Sequence, residues 1–361
     1  MVKTGVLEEV TGPIEWASPI HVAPKRDPDG NLTDFRLCGD FRRLNSITDL
    51  DRYPLPSIND VNANMLGAEI FSKIDLKTAF HQVEVWKQHR KKTAINTPYG
   101  VFQFRRMPFG LKNAAQLFQR NVHLIFKDFT FLFIYMDDLV IFSKSLEEHL
   151  GHLQIVLSKL EENCLRVNPA KCELCKLDIK YLGHKISAEG ISITDDRVEA
   201  IRNFSRPSSK KDLERFLGVF AFIHRFVPNA SGLSAELHQL RTKNLAGKFK
   251  WDESSEKAFI AIKNAISVTT TLSHPSNTAK TELWTDASEK AVGAVLVQWQ
   301  RETWRPLAFW SKALNRAQRA YSAFDKELLA LSAAVKHFRF FLESWPVALR
   351  TDHKPLISAL E

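Results

Sequence analysis

Hydrophobic and polar positions divide the chain into three stretches of different period. Up to about residue 190, short apolar runs alternate with turn residues, the signature of strands joined by loops. The most apolar run covers residues 129–142 and is broken by Tyr135-Met136-Asp137-Asp138. Phe131-Leu132-Phe133-Ile134 before it and Leu139-Val140-Ile141-Phe142 after it predict a buried β-hairpin with acids at its tip. Residues 70–76 predict a second strand that ends on Asp75. Ser145-Leu146-Glu147-Glu148 reads as a capping box opening a helix toward Asn163, with Leu150, Leu153, Val156, Leu157 and Leu160 on its buried face.

From Thr194 the period becomes helical. Thr194 with Asp195 and Asp196 puts a cap and two acids at the positive end of a helix. Leu213, Phe216, Leu217, Phe220 and Ile223 then recur at helical spacing, and helices continue to about residue 275. After Ser273-His274-Pro275 strands return at 281–286 and 293–297. A single long helix is predicted over 317–341, with one row at 320, 324, 327, 331, 334 and 338. Glu327 is the sole acid in that row, and a strand over 346–351 delivers Asp352.

A chain of 361 residues exceeds one ordinary core and predicts at least two domains. Its hydrophobic fraction of 44% is enough to pack an interior, which argues against disorder. The formal net charge of +9 favours polyanionic partners. Basic clusters at Arg42-Arg43, His89-Arg90-Lys91-Lys92, Arg105-Arg106 and Lys210-Lys211, with many aromatics, fit a groove that follows a phosphate backbone. No apolar run reaches membrane-spanning length and no signal pattern opens the sequence, so a soluble intracellular protein is expected. Cys38, Cys164, Cys172 and Cys175 do not form a secreted disulfide framework in a chain this long. Cys172-x-x-Cys175 with Cys164 and His184 lacks the paired, tight ligand spacing of a structural zinc site.

Candidate chemistry rests on carboxylates in apolar surroundings, because desolvating an ionised acid is costly without compensation. At the hairpin tip two readings stand on the four residues alone: a divalent metal, or a turn whose acids face water. Asp75, delivered by another strand, favours the first. Acids from two strands are what a two-metal phosphoryl-transfer site requires, with ions roughly 3.5–4 Å apart. Glu327 likewise either faces a metal or snorkels to water from the edge of its stripe.

The ordered motifs make a resemblance specific. They are Trp16-Ala17-Ser18-Pro19-Ile20, then Phe35-Arg36-Leu37-Cys38-Gly39-Asp40-Phe41-Arg42-Arg43-Leu44-Asn45, and Asp51-Arg52-Tyr53-Pro54-Leu55-Pro56. Next come Phe71-Ser72-Lys73-Ile74-Asp75-Leu76, Thr97-Pro98-Tyr99-Gly100, Met107-Pro108-Phe109-Gly110-Leu111-Lys112-Asn113-Ala114, the acidic hairpin and Tyr181-Leu182-Gly183-His184. Over essentially its whole length the chain resembles reverse transcriptases of Ty3/Gypsy-like LTR retrotransposons. Ala115-Gln116 departs from the usual Pro-Ala, and Met136 from the more common Leu or Val.

The resemblance implies an α+β right-hand polymerase, with fingers and palm over 1–190 and a helical thumb or connection over 191–275. A truncated α/β RNase H-like domain would occupy 276–361. Asp75, Asp137 and Asp138 match the metal-binding polymerase acids, holding two Mg²⁺ ions, with Mn²⁺ as a substitute. Lys25 and Arg36 match residues that hold the deoxynucleoside triphosphate, Phe80 the aromatic that excludes a ribose 2′-hydroxyl, and Phe109-Gly110 the loop beneath the incoming nucleotide. Tyr181, Leu182, Gly183 and His184 match the primer grip. Asp286, Glu327 and Asp352 match three of the four acids of a two-metal RNase H. The family's last strand, helices and fourth acid are missing before Glu361, so weak or absent hybrid cleavage is expected. The start also reads as mid-motif, and protease and integrase are not encoded here. The expected activity is RNA-directed DNA synthesis on an RNA or DNA template-primer, without a membrane partner. The rival expectation is a non-catalytic nucleic-acid-binding remnant of a polyprotein.

Overall fold

The computed structural model describes residues 1–26, 30–56, 65–243, 249–267, 270–343 and 345–360. The chain divides into two compact units, residues 1–61 with 69–176, and residues 62–68 with 177–361.

The first unit carries two sheets. Strands β1 (Leu7–Glu9), β2 (Ser18–Arg26) and β3 (Leu32–Gly39) precede a short helix α1 (Arg42–Ser46). Strand β4 (Ile70–Asp75) follows, then β5 (Ile95–Thr97) and β6 (Gly100–Phe104). Helix α2 (Ala114–Phe126) leads to β7 (Leu132–Tyr135) and β8 (Asp138–Ser143), then helix α3 (Leu146–Glu162) and β9 (Glu173–Lys176). One sheet runs β1-β6-β5-β2-β3 and the other runs β7-β8-β4-β9. The second sheet is antiparallel throughout. Its central strands are apolar on both faces: Phe71, Ile74, Leu139, Val140 and Ile141 are all buried. Helices α2 and α3 cover one face through Phe118, Val122, Phe126, Leu153, Val156 and Leu160.

Helix α3 corrects the sequence reading in two ways. Its buried row is His149, Leu153, Val156 and Leu160, while Leu150 and Leu157 are 55% and 44% exposed. The capping box is also shifted: Ser145 Oγ accepts from the Glu148 backbone N–H at 3.2 Å, but the Glu148 carboxylate reaches Lys144 N at 2.7 Å.

In the second unit, β10 (Asp178–Tyr181), β11 (His184–Ser187) and β12 (Gly190–Ile193) form a meander. Helices α4 (Asp195–Arg202), α5 (Lys210–Ile223), α6 (Ala230–Lys243) and α7 (Glu253–Ile266) follow. The apolar row read on α5 is buried as a set: Leu213, Phe216, Leu217, Phe220 and Ile223. Asp195 and Asp196 lie in the first turn of α4, where the helix dipole favours them.

The last part of this unit is a four-stranded sheet. Strands β13 (Thr281–Ala287), β14 (Ala291–Gln300) and β15 (Thr303–Ala313) are antiparallel neighbours. Three helices, α8 (Arg316–Arg319), α9 (Ala323–His337) and α10 (Arg339–Leu342), lead to β16 (Val347–Arg350) and α11 (Lys354–Leu360). Strand β16 pairs parallel with β13, so the order is β15-β14-β13-β16. The single helix expected over 317–341 is three helices. Asn315 opens α8 with a capping box and Ser322 opens α9 by accepting from Asp325 N, so two N-caps replace one continuous element. Strand β15 was not anticipated. Pro306 lies inside it, beside a register shift in β14 between Leu296 and Val297, where a ladder tolerates a missing N–H.

Candidate active sites

The first site is built by strand register. In the β4–β8 ladder Asp75 stands opposite Asp138, and in the β7–β8 hairpin Tyr135 stands opposite Asp138, leaving Met136-Asp137 as a two-residue loop. Met136 adopts φ 54°, the left-handed region that a tight hairpin demands and a side chain resists. Two bonds from Gln119 hold the loop. This α2 residue is 1% exposed; its Oε1 accepts from Met136 N at 2.7 Å and its Nε2 donates to Ile134 O at 3.0 Å. The Leu76 N–H donates to Asp137 O at 2.9 Å, tying the end of β4 to the same turn.

Three acids therefore end on neighbouring chain segments. Asp75 is 16% exposed, Asp138 is half-buried and Asp137 is exposed. Burial pushes the Asp138 carboxyl upward; Lys73 opposes that push, while the charges of Asp137 and Asp75 add to it and Lys171 opposes it. Lys171 Nζ lies 3.8 Å from Asp75 Oδ2. A carboxylate held ionised with difficulty among other carboxylates is a site that gains from a cation. The donor set is hard oxygen, which suits Mg²⁺.

The other sequence candidates of the first unit are placed as follows. Phe80 lies two residues after Thr78, a residue at φ 47°, and its ring packs edge-on against Phe109 (5.4 Å) and Phe118 (5.8 Å). Phe109 also meets the His81 ring at 5.3 Å. Gly110 sits at φ 90°, and its carbonyl accepts from Asn45 Nδ2 at 2.8 Å, while Asn45 Oδ1 accepts from Lys112 N at 2.8 Å. Lys25, half-buried on β2, stands opposite Asp34. Arg36 stands opposite Ala23 in the same ladder; its side chain lies outside the described residues.

The residues Tyr181, Leu182, Gly183 and His184 form the β10–β11 hairpin of the second unit. Leu182 at φ 48° and Gly183 at φ 76° make its turn, the pair of positive angles a two-residue hairpin takes. Tyr181 and His184 point inward, 1% and 3% exposed, and the His184 ring stacks on Phe222 at 4.8 Å. Burial above all, then Arg225 and Arg197, lowers the His184 pKa to about 4. Leu182 and Gly183 of the turn are half-buried, with the Arg197 guanidinium against Gly183.

The second acidic site lies in the β13–β16 sheet. Asp286 near the end of β13, Glu327 on α9 and Asp352 after β16 each offer an oxygen within 4.8 Å of the others. Glu327 is 7% exposed; its Oε1 accepts from Ala287 N at 3.1 Å, and its Oε2 is buried without a hydrogen-bond partner. Burial pushes its pKa up, and the charges of Asp286 and Asp352 add to the shift. An orphaned carboxylate oxygen facing two further acids fits a divalent cation. Among the described residues, this is the group whose oxygens converge to metal-binding spacing. The sequence offered no signal for the clamps Gln119 and Asn45, because polar residues on helices ordinarily read as solvated.

Residues 23–186 match the family described as reverse transcriptase (RNA-dependent DNA polymerase), and residues 251–349 match the RNase H-like domain found in reverse transcriptase. The chain is a reverse transcriptase domain followed by an RNase H-like domain. More narrowly, it is Ty3/Gypsy-like. It is 35% identical to the retrovirus-related Pol polyprotein from transposon 297 of Drosophila melanogaster, over 99% of this chain and 33% of that protein. With the Pol polyprotein from transposon opus, also of Drosophila melanogaster, it shares 32% over 100% of this chain and 37% of the relative. Identity to the Transposon Tf2-3 polyprotein of Schizosaccharomyces pombe is 35%, over 99% of this chain and 27% of that one. The chain thus spans about a third of the length of these curated relatives. The fold is that of foamy viral protease-reverse transcriptase. The structure of its dRH form in complex with double-stranded DNA superposes with a TM-score of 0.90 at 23% identity, over 99% of this chain and 62% of that one. No described helix is long and apolar enough to cross a membrane.

Proposed function

We propose that this chain extends a primer 3′-hydroxyl with deoxynucleotides on an RNA or DNA template. The observation that carries the reading is the register pairing of Asp75 with Asp138, one residue from Asp137. Asp75, Asp137 and Asp138 would hold two Mg²⁺ ions, which lower the cost of charge on attacking and leaving oxygens. Phe80, braced by Phe109 and Phe118, would stand against the sugar and exclude a 2′-hydroxyl. Lys25 and Arg36 on the β2–β3 hairpin would hold the triphosphate, as a point charge and a planar fork respectively. The Leu182-Gly183 turn would present backbone to the primer strand. Template-primer binding is consistent with relatives of this fold solved as a protease-reverse transcriptase with double-stranded DNA and with an RNA/DNA hybrid.

The test is primer extension on an RNA template with Mg²⁺. Activity in the wild type and its loss in Asp137→Asn, by at least 10²-fold for removal of a charged transition-state group, is the expected outcome. Hybrid binding without any synthesis would favour the non-catalytic reading instead.

A second reading rests on its own observation, the convergence of Asp286, Glu327 and Asp352. We propose that these acids bind a divalent cation of an RNase H centre. Whether that centre cuts is decided on a labelled RNA–DNA hybrid in Mg²⁺ or Mn²⁺. Robust cutting that Glu327→Gln abolishes would overturn the sequence expectation of weak or absent cleavage.

A further inference from the structure

His149 takes the place in the buried row of α3 that the sequence pattern gave to Leu150. It is fully buried, at 0% exposure. Its Nε2 lies 2.7 Å from Ser72 Oγ on β4, and its Nδ1 lies 2.8 Å from Ser143 Oγ at the end of β8. Ser143 Oγ is in turn 2.8 Å from His152 Nδ1, whose ring is stacked on Phe131 at 3.7 Å. On the other side, Ser72 Oγ accepts from the Cys175 backbone N–H at 2.9 Å, reaching β9. One imidazole therefore links the two strands that carry Asp75 and Asp138, and through Ser72 the third.

The polarity of this relay follows from satisfying every atom. Cys175 N–H donates to Ser72 Oγ, so the Ser72 hydroxyl proton is free to go to His149 Nε2. His149 Nδ1–H then donates to Ser143 Oγ, whose proton goes to His152 Nδ1. The scheme needs a neutral His149, and burial, above all, lowers its pKa, against the opposing charge of Glu148.

The relay is placed where register is decided. Ser72 stands opposite Ile141 in the β4–β8 ladder, so Ser143 is its diagonal neighbour on the same face. A slip of one residue would send one serine to the opposite face. In the native register the pair is offset by two residues, about 6.6 Å along the strands at roughly 3.3 Å per residue, and a slip of two would make that offset zero or about 13 Å, neither of which one rigid ring spans in the same way. Ser72 also sits at the irregularity in the β4–β9 ladder between Phe71 and Lys73, where its hydroxyl takes the Cys175 N–H that the ladder leaves over. An apolar residue at 149 would fill the space but would leave two buried hydroxyls without this partner.

We propose that His149 is a positioning residue: by reading the Ser72–Ser143 diagonal, it fixes the register that sets Asp75 beside Asp138. The inference rests on the polymerase reading of those acids.

Two measurements test it on the whole chain. Hydrogen exchange is followed in peptides spanning residues 70–76 and 138–143 of the metal-free protein, well below its melting temperature. The Mg²⁺ concentration that half-saturates primer extension is measured alongside. His149→Leu and Ser72→Ala are expected to speed exchange in those peptides at least tenfold, with residues 114–126 unchanged, and to raise the Mg²⁺ requirement at least fivefold. His149→Gln, which keeps a donor and an acceptor, should recover part of both. A residue that merely filled the core would lower the melting temperature and move neither readout. Wild-type exchange in both peptides for His149→Leu and Ser72→Ala overturns the proposal, as does an unchanged Mg²⁺ requirement. If His149→Leu does not fold, Ser72→Ala carries the test. If the wild type extends no primer, the polymerase reading fails on its own, and exchange alone decides the role of His149.

Discussion

At the scale of single residues, the fold holds several ionisable groups away from their ordinary protonation behaviour, and the directions differ in meaning. Asp138 and Glu327 are pushed up by burial and by neighbouring acids, which marks sites that a cation would relieve. His184 is pushed down, to about 4, by burial and then by Arg225 and Arg197, which marks a neutral ring packed on Phe222 and Phe226. The consequence for stability has a definite sign. The folded pKa lies below the unfolded value of 6.5, so the native state binds fewer protons and its advantage is present above 6.5. That advantage is lost as pH falls through the interval down to about 4. By pH 5 the loss is on the order of 2 kcal/mol. For a unit of this size it corresponds to a melting temperature roughly 4–8 °C lower at pH 5 than at pH 7. His184→Phe keeps a stacking ring and removes the titration. Thermal melts of that variant should show this part of the acid sensitivity gone; an identical pH profile would mean that His184 does not carry it.

At the scale of elements, two tight hairpins put Met136 and Leu182 at positive φ, which their side chains resist, so each turn depends on its surroundings. Met136 at φ 54° is held by Gln119 from α2, and the Leu182-Gly183 turn is held in part by the absence of a Cβ on Gly183, which would lie 2.1 Å from the Arg197 guanidinium carbon. Gln119→Leu leaves the Met136 N–H without its acceptor and is expected to cost about 1–3 kcal/mol. Denaturant unfolding should show the drop, and primer extension should fall with it; full activity and stability in the variant would remove Gln119 from the site. Sequence pattern carried much of this level. The strand ending on Asp75, the acidic hairpin and the α5 row were legible because fully apolar strands and a clean 3.6-residue row leave little ambiguity. Strand β15 was not, because Pro306 and the alternation of Trp304, Arg305 and Lys312 with apolar residues hide its period. The break before α9 was hidden because Ala317, Ala320 and Ala323 sustain a helical pattern across the Ser322 cap. On α3 the pattern favoured Leu150 over His149, since a histidine scores as polar until its two serine partners are known. The acids were legible one by one, whereas the convergence of Asp286, Glu327 and Asp352 is a product of sheet order, with β16 inserted beside β13.

For the whole molecule, net charge is the property that no single site supplies. The chain carries +9, while many of its basic side chains are spent internally: Arg90 on Glu8 and Glu84, Arg120 on Asp51, Arg301 and Arg305 on Glu189. Aromatic faces absorb others, with Arg197 over Phe222 and Arg43 over Trp16. If the chain binds a template-primer as proposed, affinity should come largely from counterion release and depend on salt accordingly. With about five phosphates neutralised, the association constant is expected to fall roughly 10²–10³-fold between 50 and 200 mM salt. Fluorescence anisotropy on an RNA–DNA hybrid and on double-stranded DNA of unrelated sequences measures the slope. The slopes should agree within about one unit of log K per log salt, because backbone contacts do not distinguish sequence. A flat salt dependence, or affinity confined to one sequence, would mean that the positive charge serves some purpose other than holding the duplex.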